Sequence, residues 1–350
     1  MEELRCGLVG CGVISGTHIE ALESIDCANL VAVCDVRPER LENLLDKNPH
    51  LNSYLKLGDM LKDSELDVVI VCTDHASHVE VAIEAFESGC HVICEKPLTA
   101  CREELNHLLQ VRQTHPDLKA GGIFQNRFNP SFRAFHEMIQ DGKIGKVLNL
   151  GLLHRCNRTE SYYAKDDWRG TLEREGGSSM INQSIHFVDY LLQIGGEVDQ
   201  CSGFEGNLTK RGLIETEDVF AGCLRFKSGA LGSINLTNAS SESWVYRLTV
   251  AGEKGTLELV DGKIMASAGL KWEEEKRRLD EALETESPGG EGKSYYGGYH
   301  RQNLMDFFSS ILDGKNLEVS MESQATTTAV VHELYRAARE GQVKKFKSPC

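Results

Sequence analysis

The sequence predicts an α/β N-terminal domain on a doubly wound parallel sheet, residues 1–124, and an α+β C-terminal domain, residues 125–350, with a large, mostly antiparallel open sheet. Three observations carry this reading. Leu4 to Val9 is an apolar strand that runs into Gly10-Cys11-Gly12 and then into a helix. Short apolar runs such as Val68 to Cys72 alternate with helix-period segments through the first third, as in parallel strands covered on both faces. Past Phe124 the alternation stops, and strand-like runs follow one another across tight turns.

In chain order, Ile14, His18, Ala21, Leu22 and Ile25 mark one face of the first helix. Leu30 to Cys34 is the second strand, and Arg40 to Asp46 the next helix. Asp67 to Thr73 is a buried strand, followed by a helix from Ser77 that stops at Gly89, a good C-cap. His91 to Glu95, a helix over Cys101 to His115, and Lys119 to Phe124 complete the first sheet. Asn129-Pro130 starts a helix, with Asn as cap and Pro at the first helical position, running to Asp141-Gly142. Strands are expected at Val147–Cys156, Val219–Phe226, Ala230–Asn238, Val245–Ala251 and Thr256–Val260. Lys227-Ser228-Gly229 and Asp261-Gly262-Lys263 are turns between them. Helices are expected near Ser184–Leu192, Asn303–Leu312 and Ser323–Arg339, and Trp272 to Gly292 reads as a charged, solvated excursion. There are no internal repeats.

The turn has a specific chemistry. Gly10 permits the bend out of the strand, and Gly12 lets main-chain N–H groups reach a phosphate. Val13 and Ile14 lead into a helix whose positive end faces the same point. Ser15 stands where the dinucleotide fingerprint usually has Gly or Ala. Asp35 closes the second strand and is placed to take both ribose hydroxyls of NAD, repelling a 2′-phosphate. Arg37 keeps NADP open as the less favoured cofactor.

The bulk composition narrows the field. Of 350 residues, 41% are apolar and 26% charged, ordinary for a globular protein large enough for two domains. A net charge of −15 argues against a nucleic-acid partner and against an anionic membrane surface. No apolar run approaches the roughly 18 to 20 residues of a membrane span. The N-terminus lacks signal-peptide form. The 12 cysteines show no Cys-x-x-Cys spacing and sit mostly inside apolar runs, so reduced thiols, a cytoplasmic location and no metal site are expected.

Two segments carry candidate catalysis. Glu95-Lys96-Pro97 ends a parallel strand, where open α/β sheets bind ligands, and the Lys96 ammonium can steady a substrate oxygen as hydride moves. In Gly176 to Tyr190, a helix over Asn182 to Leu192 sets Asn182 and His186 one turn apart, with Gln183 adjacent and Ile185, Val188 and Leu192 turned toward the sheet. His186 suits general acid–base work near neutral pH.

These elements, with Thr73-Asp74-His75-Ala76-Ser77-His78 and Asn126-Arg127-Phe128-Asn129-Pro130, resemble the glucose–fructose oxidoreductase / inositol dehydrogenase / rhizopine catabolism family over nearly the whole chain. The resemblance implies a Rossmann domain, a C-terminal sheet that often mediates homo-oligomers (a dimer or tetramer), and Lys96 with His186 as the catalytic pair. It also implies that Thr73, His75, His78, Glu95 and the Gln125–Arg127 region line the cofactor crevice, and that the Lys96–Pro97 bond is cis. Many members carry Asp where this chain has Asn182, so the base role falls more heavily on His186, assisted by Lys96; some relatives acting on nucleotide sugars resemble this chain there.

The loop from His154 to Arg174 is rich in hydrogen-bonding and aromatic groups: His154, Tyr163, Trp168 and Arg169 suit a pyranose, alongside Arg127 and Gln183, with Tyr299 and His300 as a far wall. Arg155, Arg158, Arg169 and Arg174 either bind a carboxylate or diphosphate, or pair with Asp166, Asp167, Glu173 and Glu175. The expectation is therefore an NAD-linked oxidoreductase acting on a secondary hydroxyl of a sugar, glycoside or sugar derivative. Two readings of other classes stand beside it: an NAD-dependent glycosidase or lyase working through a 3-keto glycoside, and a non-catalytic NAD-binding regulator.

Overall fold

The computed structural model describes residues 3–266 and 299–349. Two compact units emerge. Of the described residues, the first comprises 3–125 and 299–326 with Pro349; the second comprises 126–266 and 327–348.

The first unit holds a six-stranded, all-parallel sheet. Its elements are β1 (Leu4–Val9), α1 (Ser15–Glu23), β2 (Ala28–Cys34), α2 (Pro38–Leu45), β3 (Asn52–Tyr54), α3 (Leu57–Asp63), β4 (Val68–Val71), α4 (His78–Glu87), β5 (His91–Cys94), α5 (Arg102–Gln113) and β6 (Ala120–Gly122). The strand order β3-β2-β1-β4-β5-β6 reverses between β1 and β4. That switch point is where such sheets open a crevice for ligands. All four residues of β4 are buried, as its unbroken apolar run requires.

The expected domain boundary needs one correction. Residues 299–326 group with the first unit, not with the second domain as the sequence suggested. The cause is the apolar face of α9 (His300–Leu312): Leu304, Phe307 and Phe308 join the core formed by Cys6, Leu8 and Ile70. Asn303 secures it, its side-chain oxygen accepting from the Phe124 N–H at 3.1 Å and its amide donating to the Gly122 carbonyl at 3.0 Å.

The second unit holds an eight-stranded sheet of β7 (Val147–Asn157), β8 (Val198–Gly206), β9 (Val219–Phe226), β10 (Leu231–Thr237), β11 (Ala239–Gly252), β12 (Thr256–Val260), β13 (Lys263–Ala266) and β14 (Lys344–Lys345). The order is β13-β12-β11-β7-β10-β9-β8-β14, antiparallel throughout except for the β7–β10 pair. Strict alternation of buried and exposed residues on β9 and β10 gives the sheet one packed and one open face. The packed face carries α6 (Pro130–Gln140), capped by Asn129 through the Ser131 and Phe132 N–H groups as its Asn-Pro start requires, and α8 (Ile185–Gly195). A short α7 (Glu160–Tyr163) and the C-terminal part of α10 (Met321–Glu340) complete the unit.

Six elements lacked a sequence signal strong enough to be expected: β3, α3, α7, β8, β13 and β14. The excursion expected over Trp272 to Gly292 lies outside the described residues. Among the described residues no helix is long and apolar enough to cross a membrane.

Candidate active site

In the first unit the glycine turn is built as its chemistry demands. Gly10 has φ +95°, and a Cβ there would lie 2.6 Å from the Cys72 and Thr73 main chain at the tip of β4. At Gly12 the nearest atom to a Cβ would be Arg40 Nη1 at 3.8 Å, so that side of the backbone is open. Ser15 fits beside it by donating to the Gly12 carbonyl at 2.6 Å. Val13 is half exposed, and Ile14 occupies the position before α1 without a side-chain cap.

Asp35 is buried at the end of β2 and braces this turn. One carboxylate oxygen accepts from the Cys11 N–H and the other from the Arg37 N–H, each at 2.8 Å. A carboxylate oxygen takes more than one donor, so capacity for ribose hydroxyls remains. Arg40, which sequence reasoning passed over, stands with Nη1 3.5 Å from the same carboxylate. Its signal was its place in the first turn of the helix after Asp35.

The tips of β4 and β5 are tied by His78. Its ring nitrogens lie 2.8 Å from the Pro97 carbonyl and 3.2 Å from the Thr73 carbonyl, and burial lowers its pKa. His78 is thus a fully buried brace, a correction to its expected place among the crevice-lining residues. His75 is buried beside it, ring centroids 6.0 Å apart, while Thr73 and Lys96 are half-buried. Gln125 is buried at the end of the unit. The Lys96–Pro97 bond is cis, as the resemblance implied.

Glu95 is held by three neighbours in this unit. Its Oε1 lies 2.8 Å from His18 Nε2 and 3.8 Å from His300 Nε2, and its Oε2 accepts from the Lys96 N–H at 3.0 Å. Burial alone would raise its pKa; the His18 hydrogen bond and the charges of His18, His300 and Lys96 override that and hold it well below the usual carboxylate range. His300, expected on the far wall of a substrate site, is instead buried here, edge-on to His18 at 5.3 Å. Tyr299, half-buried, precedes it in the same unit. Among the described residues, His18, Glu95 and His300 are the one group whose ligand-type atoms cluster within 4.8 Å; the 2.8 Å His18–Glu95 contact makes it a hydrogen-bonded group. His18 was legible only as a helix-face residue.

In the second unit the segment before α8 is a π-helical turn, Ser179–Ser184. The regular helix expected from Asn182 therefore begins only at Ile185. Glu217, buried, holds this turn by accepting from the Ser178 and Met180 N–H groups at 3.0 Å and from the Tyr335 hydroxyl at 2.7 Å. Gly177 is required there, because a Cβ would lie 2.2 Å from that hydroxyl. Such π-turns are frequent at functional sites.

Around the turn lies a polar cluster. Asn182 donates through Nδ2 to Glu175 Oε1 and, at 3.3 Å, to the Tyr162 hydroxyl. Gln183 donates through Nε2 to the same hydroxyl at 2.9 Å and accepts from Arg158 Nε at 2.7 Å. Arg169 donates to that hydroxyl through Nη1 and to Asp166 through Nε at 3.2 Å, its guanidinium 4.4 Å from the Tyr162 ring and 4.5 Å from Trp168. His186 is half-buried, and Ile185, Val188 and Leu192 are buried. Glu175 and Tyr162 were not singled out as site residues; only their place in an aromatic and charged loop marked them.

Three expected substrate contacts are committed elsewhere. Arg127 makes a buried two-pronged ion pair with Asp189 at 2.6 and 2.7 Å. His154 is fully buried, bonded to the Ser184 hydroxyl and packed against Phe187 and Trp244, and burial lowers its pKa to about 3. The Tyr163 hydroxyl is taken by Ser178 and Asn238. Of the arginines, Arg169 and Arg174 pair with Asp166 and Asp167, and Arg155 pairs with Glu242.

Residues 4–118 match the oxidoreductase family with an NAD-binding Rossmann fold, and residues 132–258 match the GFO/IDH/MocA C-terminal domain. Myo-inositol 2-dehydrogenase of Thermotoga maritima is 29% identical over 262 residues, 73% of this chain and 74% of that protein. The WlbA dehydrogenase of Bordetella pertussis, solved with NADH and UDP-GlcNAcA, superposes with a TM-score of 0.89 at 27% identity, covering 99% of this chain and 98% of that one. A levoglucosan dehydrogenase, solved with NADH and L-sorbose, shares the fold: TM-score 0.85, 19% identity, 99% and 100% covered. The glycine turn, Asp35, the strand-end Glu95-Lys96-Pro97 and the Asn182–His186 segment thus sit in an NAD-dependent oxidoreductase chain that belongs to the GFO/IDH/MocA family.

Proposed function

We propose that this protein interconverts a secondary hydroxyl and the corresponding ketone on a sugar, cyclitol or nucleotide sugar. NAD, when bound, accepts the hydride, and one proton is released per alcohol oxidised. The observation that carries the reading is the Gly10 turn, with no room for a side chain and with the Asp35 carboxylate pinned at its tip. Gly10, Gly12 and Asp35 would hold the dinucleotide. Lys96 would steady the substrate oxygen by its ammonium, and His186 would take the hydroxyl proton. Asn182, Gln183, Trp168 and Arg169 would orient the ring hydroxyls. Support for a sugar-type substrate comes from the inositol dehydrogenase relative and from the UDP-GlcNAcA in the WlbA structure.

The first unit is then the cofactor domain and the second the substrate domain. The second also serves as the surface between copies. On the open face of its sheet, Gly151, Ala221, Cys223, Ser233 and Asn235 form a small-residue, uncharged patch across β7, β9 and β10. Ser233→Arg should convert a dimer or tetramer to monomer in light scattering; an unchanged mass places the contact elsewhere. The eleven described cysteines are free thiols, mostly buried, in keeping with a reducing cytoplasm.

The direct test is a panel including myo-inositol and UDP-GlcNAcA, followed by NADH formation. Turnover of any such alcohol supports the reading. Release of an aglycone without net NADH marks the glycosidase or lyase chemistry instead, and NADH binding without turnover marks a regulator.

A further inference from the structure

Tyr162 has an unusual hydrogen-bond environment. Every hydrogen-bonding neighbour of its hydroxyl is an N–H donor: Arg169 Nη1, Asn182 Nδ2 and Gln183 Nε2. A phenol oxygen carries two lone pairs and one hydrogen of its own. Three donors overfill the lone pairs and give that hydrogen no acceptor among these neighbours. The Gln183 amide cannot turn to relieve this, because its oxygen is held by Arg158. The Arg169 guanidinium has only donors to offer. Asn182 alone can change ends.

What holds Asn182 in the crowded orientation is Glu175. Its carboxylate accepts from Asn182 Nδ2, so the amide nitrogen is drawn inward. If Glu175 gains a proton, the acid becomes a donor. An exchanged amide then accepts from Glu175 and from the Tyr162 hydroxyl through one oxygen, and every group in the cluster is satisfied. The two patterns present opposite chemistry on the outer side of Asn182. The ionised state offers a carbonyl oxygen, which suits an alcohol; the protonated state offers an N–H, which suits a ketone.

We propose that Glu175 is a positioning residue: the proton on its carboxyl group selects which end of the Asn182 amide faces the substrate, and with it whether the site favours the hydroxyl or the carbonyl form. This rests on the reading that Asn182 lines the substrate site. The surroundings of Glu175 permit the switch near neutral pH. Burial raises its pKa, as does the charge of Glu217; the Asn182 and Gly170 hydrogen bonds and the Arg169 charge oppose this, leaving it at about 7. Tyr162 and Tyr163 are the remaining titratable groups facing it, and burial raises both above their ordinary values. Burial also raises the Glu217 carboxyl, so Glu175 and Glu217 are the two acids here that can carry a proton, and loss of the titration in Glu175→Gln assigns it to Glu175.

The test is side-chain amide NMR of the full chain labelled with 15N-asparagine, titrated across neutral pH, with the Asn182 signals identified by their loss in Asn182→Asp. The wild type should show a titration of the Asn182 amide, and Glu175→Gln should abolish it. A flat wild-type response, or a titration that persists in E175Q, overturns the proposal. Should E175Q fail to fold, Tyr162→Phe decides: removing the hydroxyl takes away the acceptor-hungry hydrogen, so the midpoint should fall, and an unmoved midpoint counts against the switch. A wild type that titrates as expected but oxidises no member of the sugar panel sinks the proposed function, and with it the selection of substrate form, and leaves only the amide exchange driven by Glu175.

Discussion

Asp35 does two jobs with one carboxylate, and they can be separated by mutation. It braces the glycine turn through the Cys11 and Arg37 N–H groups, and it balances Arg40. Asp35→Ser removes the acceptor for ribose hydroxyls and the carboxylate that faces Arg40. Hydrogen bonds to charged groups contribute about 1.5–3 kcal/mol, so the NAD over NADP preference in kcat/KM should fall by roughly tenfold or more. An unchanged cofactor ratio would remove Asp35 from the binding role. Lys96 makes a different prediction. If its ammonium steadies developing charge on the substrate oxygen, Lys96→Ala should lower kcat by about 10²–10³-fold with little change in NAD affinity. Near-normal turnover would end that assignment. The residues that misled the sequence reading share one cause. Arg127, His154 and Tyr163 are polar types of the sort that line sugar sites, but here each has a buried partner distant in sequence — Asp189, Ser184 and Asn238 — that no local pattern reveals.

At the scale of elements, what was legible followed from backbone chemistry. The Gly10 turn, the Asn129-Pro130 helix start and the unbroken apolar run of β4 each encode their own geometry, and each appears as expected. The elements that were not legible draw their stability from neighbours. Strand β3 is three residues, two of them polar, held by pairing to β2, and β11 extends back to Ala239 through a polar stretch because β7 lies beside it. The π-turn before α8 belongs to the same class: it is fixed by Glu217, 37 residues from Met180. This yields an element-level prediction. Gly177→Val should collide with Tyr335 and dislodge the turn, costing about 1–3 kcal/mol or more in urea unfolding. Turnover should fall further than stability accounts for, because Asn182 rides on that turn. A variant as stable and as active as wild type would show that the turn tolerates displacement.

Across the whole molecule, buried glutamates pull pH stability in opposite directions: Glu95 in the first unit one way, Glu175 and Glu217 in the second the other. Glu95 has a depressed pKa in the folded protein. Its contribution is therefore present above its ordinary value of 4.5 and is lost as pH falls below it. Glu175 has a raised pKa, so the folded state binds the extra proton, and stability falls as pH climbs from 4.5 to about 7. The two slopes meet near the ordinary carboxylate range, so unfolding free energy should decline on both sides of it. Glu95→Gln should make the acid limb shallower and leave the neutral limb, whereas Glu175→Gln should make the decline toward neutrality shallower and leave the acid limb. Urea unfolding at a series of pH values reads both. If E175Q retains the wild-type slope between pH 4.5 and 7, the folded protein does not hold that proton, and the amide selection at Asn182 loses its driving group.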